Sequence, residues 1–214
     1  DVEAVKASAA KAEDGLREEY AGTDGNITVQ ITEEGHAETD VLHPTSREKV
    51  LFYLVQIPFG IQKMSGNIEG LVETSTNIGI VKLSDDEFFA RSSVRSSVEV
   101  ARDALSDKIQ YLTEFLGGEY EIQGAYPAWE YRKDSPLRDK MVSVYEEMYG
   151  QKPEVVAIHA GLECGLFYKK IDGLDCVSLG PNMKDIHTSE EVLDIASTER
   201  VWNYLVKVLE QLKD

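Results

Sequence analysis

Two short stretches carry the residue types that could do chemistry, HAGLECGLF (159–167) and SLGPNMKDIHTSEE (178–191). The second places His187 on a predicted loop between an apolar strand and a helix, at the carboxyl end of a strand, where open α/β sheets put their ligand sites. An imidazole there can turn one neutral nitrogen toward zinc while the other bonds a carbonyl or a carboxylate. Zinc takes several ligands, so on spacing alone an ordinary loop histidine is the plainer reading. Asp185, Glu190 and Glu191 beside it suit a helix start or support of the imidazole better than direct ligation. Glu163 lies between a predicted strand and a helix, next to Gly161, where backbone can approach a small substrate. Its carboxylate suits a free ammonium group and suits the positive end of a helix equally well. His159 reads as a strand-end histidine.

Positioning these groups requires elements, and the chain offers them in two rhythms. After a first amphipathic helix, NITVQIT (26–32) alternates apolar and polar residues and predicts a half-buried strand, with a turn at Glu34-Gly35. Thr45-Ser46-Arg47-Glu48 has the spacing of a capping box, and the apolar run VLFYLVQI behind it predicts a buried helix ending at Pro58-Phe59-Gly60. Residues 69–82 and 87–95 predict a hairpin through the acidic turn Ser84-Asp85-Asp86, followed by a helix over 97–116 and a strand over 119–125. This first rhythm implies an antiparallel sheet covered on one face by helices. A boundary falls at 126–136, where two prolines interrupt the pattern. Beyond it the order is helix (137–149), strand (154–158), helix (163–170), strand (174–179) and helix (190–212), the alternation of a parallel α/β sheet. At about 80 residues this segment is thin for an independent doubly wound domain and reads as half of one. The fold class is therefore α/β, an α+β part with an antiparallel sheet joined to a partial α/β domain.

Composition narrows the partners. Twenty-two Lys and Arg stand against 39 Asp and Glu in 214 residues, a net charge of −17 whose field repels nucleic acid and anionic lipid. No apolar run approaches the length of a membrane span. Cys164 and Cys176 fit neither a disulfide framework nor a zinc-knuckle spacing, which points to a reducing cytoplasm. The first residues, DVEAVKASAAKAEDGLREEY, read as a helix already under way, which suggests a truncated or cleaved beginning.

HAGLECG, a short helix, a strand and then GPNMKDIHTSEE together resemble the end of the aminoacyl-histidine (Xaa-His) dipeptidases, the carnosinase-like branch of the dinuclear zinc exopeptidases. STNIGIV (75–81) and SSVRSS (92–97) are similar to the same branch. The resemblance implies a catalytic domain interrupted by a lid, with residues 1–134 forming the later lid and 135–214 the returning part of the catalytic domain. It further implies a dipeptide substrate, two zinc ions that polarise the peptide carbonyl and activate water, and a glutamate base. His187 corresponds to the metal ligand of the returning segment. Arg95 corresponds to a lid arginine that grips the substrate's C-terminal carboxylate, a two-pronged task suited to guanidinium. Arg91 is its surface counterpart, and Asn77 a lid position that reaches substrate, sometimes across a homodimer. A polar residue facing water on a strand is the alternative for Arg95 and Asn77 alike.

The His-x-Asp motif, the bridging aspartate and the Glu-Glu pair of the family have no match, since none of His36, His43, His159 and His187 is followed two residues later by Asp. Glu33-Glu34-Gly35 imitates the carboxylate pair, but a solvated turn explains it. The expected N-terminal catalytic segment is thus missing, and the chain alone should not turn over substrate. A non-catalytic lid-like dimerisation or binding module is the competing reading.

Overall fold

The computed structural model describes residues 1–157 and 162–213. These divide into two compact units, Asp1–Val41 and Leu42–Asp214. In the first, α1 (Val2–Glu19) is capped by the Asp1 carboxylate, which accepts from the Glu3 amide at 3.1 Å. The alternating stretch 26–32 forms no strand there. It is strapped along α1 by side chains instead: Arg17 Nε donates to the Ile27 carbonyl at 2.7 Å, and the Val29 amide to Glu13 Oε2 at 2.8 Å. Alternation prepares one face of a strand, but a ladder needs a second backbone, and among the described residues none pairs with this one. Glu33 forms an ion pair with Lys6, and Gly35 takes a positive φ of 98° in the expected turn.

The second unit opens with α2 (Pro44–Gln56). Its start is two residues earlier than the capping box implies, with the cap at His43 rather than Thr45. Pro44, with its fixed φ and missing N–H, suits the first helical position, so the cap falls to His43, whose Nδ1 accepts from the Thr45 amide. Nor is the apolar run buried throughout: Tyr53 faces the core, while Val55 is 75% exposed. Next come β1 (Gly60–Met64), β2 (Val72–Leu83) and β3 (Phe88–Ser96), an antiparallel sheet in the order β1-β2-β3. The β2–β3 hairpin forms as the alternation and acidic turn predict, closed by the Ser84 amide donating to the Glu87 carbonyl. A register shift at Gly79 separates Ile78↔Ser92 from Ile80↔Arg91. β1 takes the sheet position beside β2, whereas 119–125 forms no ladder and contributes Tyr120 to the core. With α3 (Glu99–Phe115), α2 covers one face of the sheet around Tyr53, Ile57 and Ile109.

A second core joins α4 (Pro136–Tyr149) to α6 (Ile195–Gln211) through Met141, Val144, Tyr204 and Val208. Val144 is fully buried, and the Tyr204 hydroxyl donates to the Met141 carbonyl at 2.7 Å, so the ring is buried without an orphaned polar tip. Between them lie α5 (Glu163–Lys170) and a two-stranded ladder of β4 (Met183–Lys184) with β5 (Val192–Leu193). The expected parallel ladders are not seen among the described residues: of the expected strand 154–158, 154–157 carry no strand hydrogen bonds and 158 lies outside the described residues, 174–179 carry none either, and Val156 is 68% exposed. α6 begins at Ile195 rather than 190, because Asp194 accepts from the Ser197 amide as its cap and 192–193 are spent on β5. Among the described residues no helix is long and apolar enough to cross a membrane.

One carboxylate ties this second core together. Asp175 accepts from the Ser135 hydroxyl at 2.7 Å and the Leu137 amide at 3.0 Å, while Ser135 Oγ in turn accepts from the Arg138 amide and caps α4. Arg132 reaches the Gly173 carbonyl, and Arg138 the Arg132 and Lys133 carbonyls. Burial pushes the Asp175 carboxyl up, but the Leu137 amide, the Ser135 hydroxyl and the two arginines outweigh it and hold the group below its ordinary value.

Two consequences can be measured. An added Cβ at Gly165 would lie 2.7 Å from the Pro127 carbonyl oxygen, so Gly165→Ala should lower unfolding free energy by about 1–3 kcal/mol in urea titrations. Because the Asp175 carboxyl is depressed, its stabilisation is complete above the ordinary aspartate range, about pH 4, and is lost as pH falls through the folded value. Asp175→Asn should therefore cost about 1–3 kcal/mol at pH 7 and progressively less toward pH 2. A pH-independent difference between the two proteins would refute that origin.

Candidate functional site

His187 sits in the seven-residue loop 185–191 between β4 and β5. Both Asp185 (φ 51°) and His187 (φ 68°) adopt the left-handed backbone conformation, which costs a non-glycine residue about 1 kcal/mol or more. The loop holds them by cross-bracing. The His187 amide donates to Glu191 Oε2 at 3.0 Å, Thr188 Oγ1 donates to the Asp185 carbonyl at 2.7 Å, and the Glu190 amide donates to Thr188 Oγ1 at 3.1 Å. At its base the Asp194 amide donates to the Asn182 carbonyl, and the Asn182 amide to Ser197 Oγ. The imidazole is left exposed and unengaged by its own loop, a backbone-built mount for a side chain that faces outward. Glu191 thus contributes through the His187 backbone, a role that sequence spacing had no means of revealing.

The donor set does not close around a metal among the described residues. Among the described residues no three His, Cys, Asp or Glu side chains gather where they could hold an ion, and His187 stands as one imidazole. One imidazole is a single donor, short of the three or four that a zinc site takes.

Arg95 and Asn77 lie on the outward face of the β2–β3 hairpin. The register pairs Ser75 with Arg95 and Asn77 with Ser93, so Asn77 and Arg95 are diagonal neighbours on one face, about 7–8 Å apart by sheet geometry. Both are exposed, and Arg95 makes no ion pair among the described residues. Arg91, further along the same strand, is occupied, stacked 5.7 Å from the Phe89 ring centroid and bonded to Gln123. Of the two arginines, Arg91 is engaged by its neighbours and Arg95 is exposed. The inner face instead carries Thr74 hydrogen-bonded to Ser96 at 2.9 Å.

Glu163 is the first residue of α5 and is exposed. His159 and Gly161, its sequence neighbours, lie outside the described residues. No hydrogen bond or ion pair among the described residues links Glu163, His187 and the Arg95–Asn77 face, so the second unit presents them as three separate features. An ion pair missed by sequence reasoning does join its helices: Lys169 of α5 meets Glu99 of α3 at 2.8 Å, and holds the Glu99 carboxyl below its ordinary value, with Arg102 adding to the effect.

The chain is 29% identical over 197 residues to the cytosol non-specific dipeptidase of Escherichia coli (strain K12), covering 92% of this chain and 40% of that protein. It superposes with a TM-score of 0.75 and 31% identity on the crystal structure of aminoacylhistidine dipeptidase from Vibrio alginolyticus, covering 94% of this chain and 43% of that one. The fold, at 15% identity and a TM-score of 0.60, is also that of part of aminopeptidase PepT from Bacillus cereus, with 79% of this chain and 46% of that one covered. The chain spans less than half the length of these relatives. Residues 3–211 match peptidase family M20/M25/M40, and the chain belongs to that family.

Proposed function

We propose that this chain is the later lid (1–134) and the returning catalytic segment (135–214) of a cytoplasmic, metal-dependent dipeptidase that hydrolyses short peptides such as Xaa-His. The observation that carries the reading is identity of 29–31% to two dipeptidases over more than nine-tenths of the chain. The strained, braced loop under His187 supports it, since backbone strain concentrates where a side chain must be presented in one direction. In this reading His187 gives one imidazole to a zinc centre, and the other ligands and the base come from a segment outside these residues. Arg95 grips the substrate carboxylate with Asn77 beside it, and Glu163 receives the free ammonium. Residues 1–214 by themselves would not turn over substrate, because most of the metal ligands are expected from outside them.

A second reading, a non-catalytic association module, draws on the apolar side chains that α2 turns to solvent, Leu51, Phe52 and Val55. Homodimerisation through the lid is common to both readings, so the discriminating property is hydrolysis by the intact protein.

Dipeptide hydrolysis by that intact protein supplies the test. His187→Ala should lower kcat/KM by about 100-fold or more together with metal content, and Arg95→Lys should act chiefly by raising KM. Glu163→Gln should weaken peptides with a free amino end and leave binding of their N-acetylated forms unchanged. Full activity and full metal content in His187→Ala would sink the dipeptidase assignment of this loop.

A further inference from the structure

Cys164 and Cys176 are absorbed by none of the roles above, yet the fold brings them together. Eleven residues separate them in sequence, and Cys176 Sγ lies 3.9 Å from the Cys164 carbonyl oxygen. Both thiols are free and half-buried. Each is anchored from its own side. Cys164 is the second residue of α5, whose next residue, Gly165, is pressed on the Pro127 and Ala128 carbonyls so closely that a Cβ there would lie 2.7 Å from the Pro127 oxygen. Cys176 follows Asp175, whose carboxylate is fixed by Ser135 and Leu137. Two independently anchored backbones thus hold the sulfurs in one neighbourhood, the arrangement in which a dithiol closes in preference to reacting twice with outside molecules.

We propose that Cys164 and Cys176 form an oxidation-responsive pair that closes an intramolecular disulfide, stapling the first turn of α5 to the segment 174–179, when the protein meets a peroxide or a small disulfide. With peroxide, one cysteine sulfur attacks an oxygen, the O–O bond breaks, and a sulfenic acid and water form. The second sulfur then attacks the sulfenic sulfur, the S–S bond forms, the S–O bond breaks, and the hydroxyl leaves with the second thiol's proton as water. Two thiols lose two electrons and two protons, and one peroxide becomes two waters. With oxidised glutathione the same closure passes through a mixed disulfide and releases two reduced glutathione molecules. Burial, then the neighbouring Cys164 sulfur and the Asp175 carboxylate, push the Cys176 thiol up. Cys176 therefore suits the resolving role, in which the thiol gives up its proton only as the S–S bond forms.

The test uses the whole 214-residue chain and does not depend on the dipeptidase reading. Equilibrated with excess oxidised glutathione, the wild-type chain should lose both titratable thiols and about 2 Da of mass. A tryptic peptide pair joined through Cys164 and Cys176 should appear and vanish with dithiothreitol, and the chain should remain monomeric on a non-reducing gel. Cys176→Ser and Cys164→Ser should each instead retain one bound glutathione. Two remaining thiols in the wild type, one glutathione on each cysteine, or linkage only between chains would each overturn the proposal.

Discussion

The Asp175 carboxylate, receiving the Ser135 hydroxyl and the Leu137 amide, decides where the part of the second unit that runs from α4 to α6 stands. Those two bonds join the start of α4 to a segment nearly forty residues downstream, and Arg132 repeats the connection one step earlier at Gly173. Among the described residues segment 174–179 pairs with no other strand, so the Asp175 hydrogen bonds and the packing of Val177 on the α4–α6 core set its position. The turn into β4, the loop that bears His187 and the capped start of α6 all inherit that position, and α6 returns to α4 through Tyr204 and Val208. Such a network is costly to leave half made, because an ionised carboxylate without its donors is worse than none.

Local chemistry separates the elements that the sequence discloses from those it conceals. The β2–β3 hairpin was legible because alternation and an acidic turn act within one stretch of chain. The helix expected over 137–149 also forms, as α4, with its Ser135 cap, Pro136 in the first turn and left-handed Gly150 stop all local to that stretch. Strands that depend on a distant partner were not legible in this way. NITVQIT and 174–179 have the composition of strands, but whether a backbone pairs is settled by another segment, and β1 took a sheet position that Pro58-Phe59-Gly60 disguised as a stop. The same division runs through the site. The residue types and the likeness to a peptidase family were readable around His187, whereas its left-handed backbone and the Glu191 brace are products of loop closure. Asn77 and Arg95 share a face only because the register pairs Ser75 with Arg95, which no spacing along one strand can specify.

Each feature of the site has a chemical capacity of its own. An exposed guanidinium on a rigid hairpin can bind a carboxylate, a helix-start carboxylate can meet an ammonium, and a strained loop can present an imidazole at fixed orientation. Under the proposed function these capacities would serve the two termini of a dipeptide, and membership of peptidase family M20/M25/M40 is the finding that reading starts from.

The most direct measurement is zinc-edge anomalous diffraction from crystals of the intact, zinc-loaded protein. The expected result is a zinc peak bonded to an imidazole nitrogen of His187 at about 2.0–2.1 Å. A zinc centre fully ligated by other residues, with the His187 imidazole turned to solvent, would contradict it.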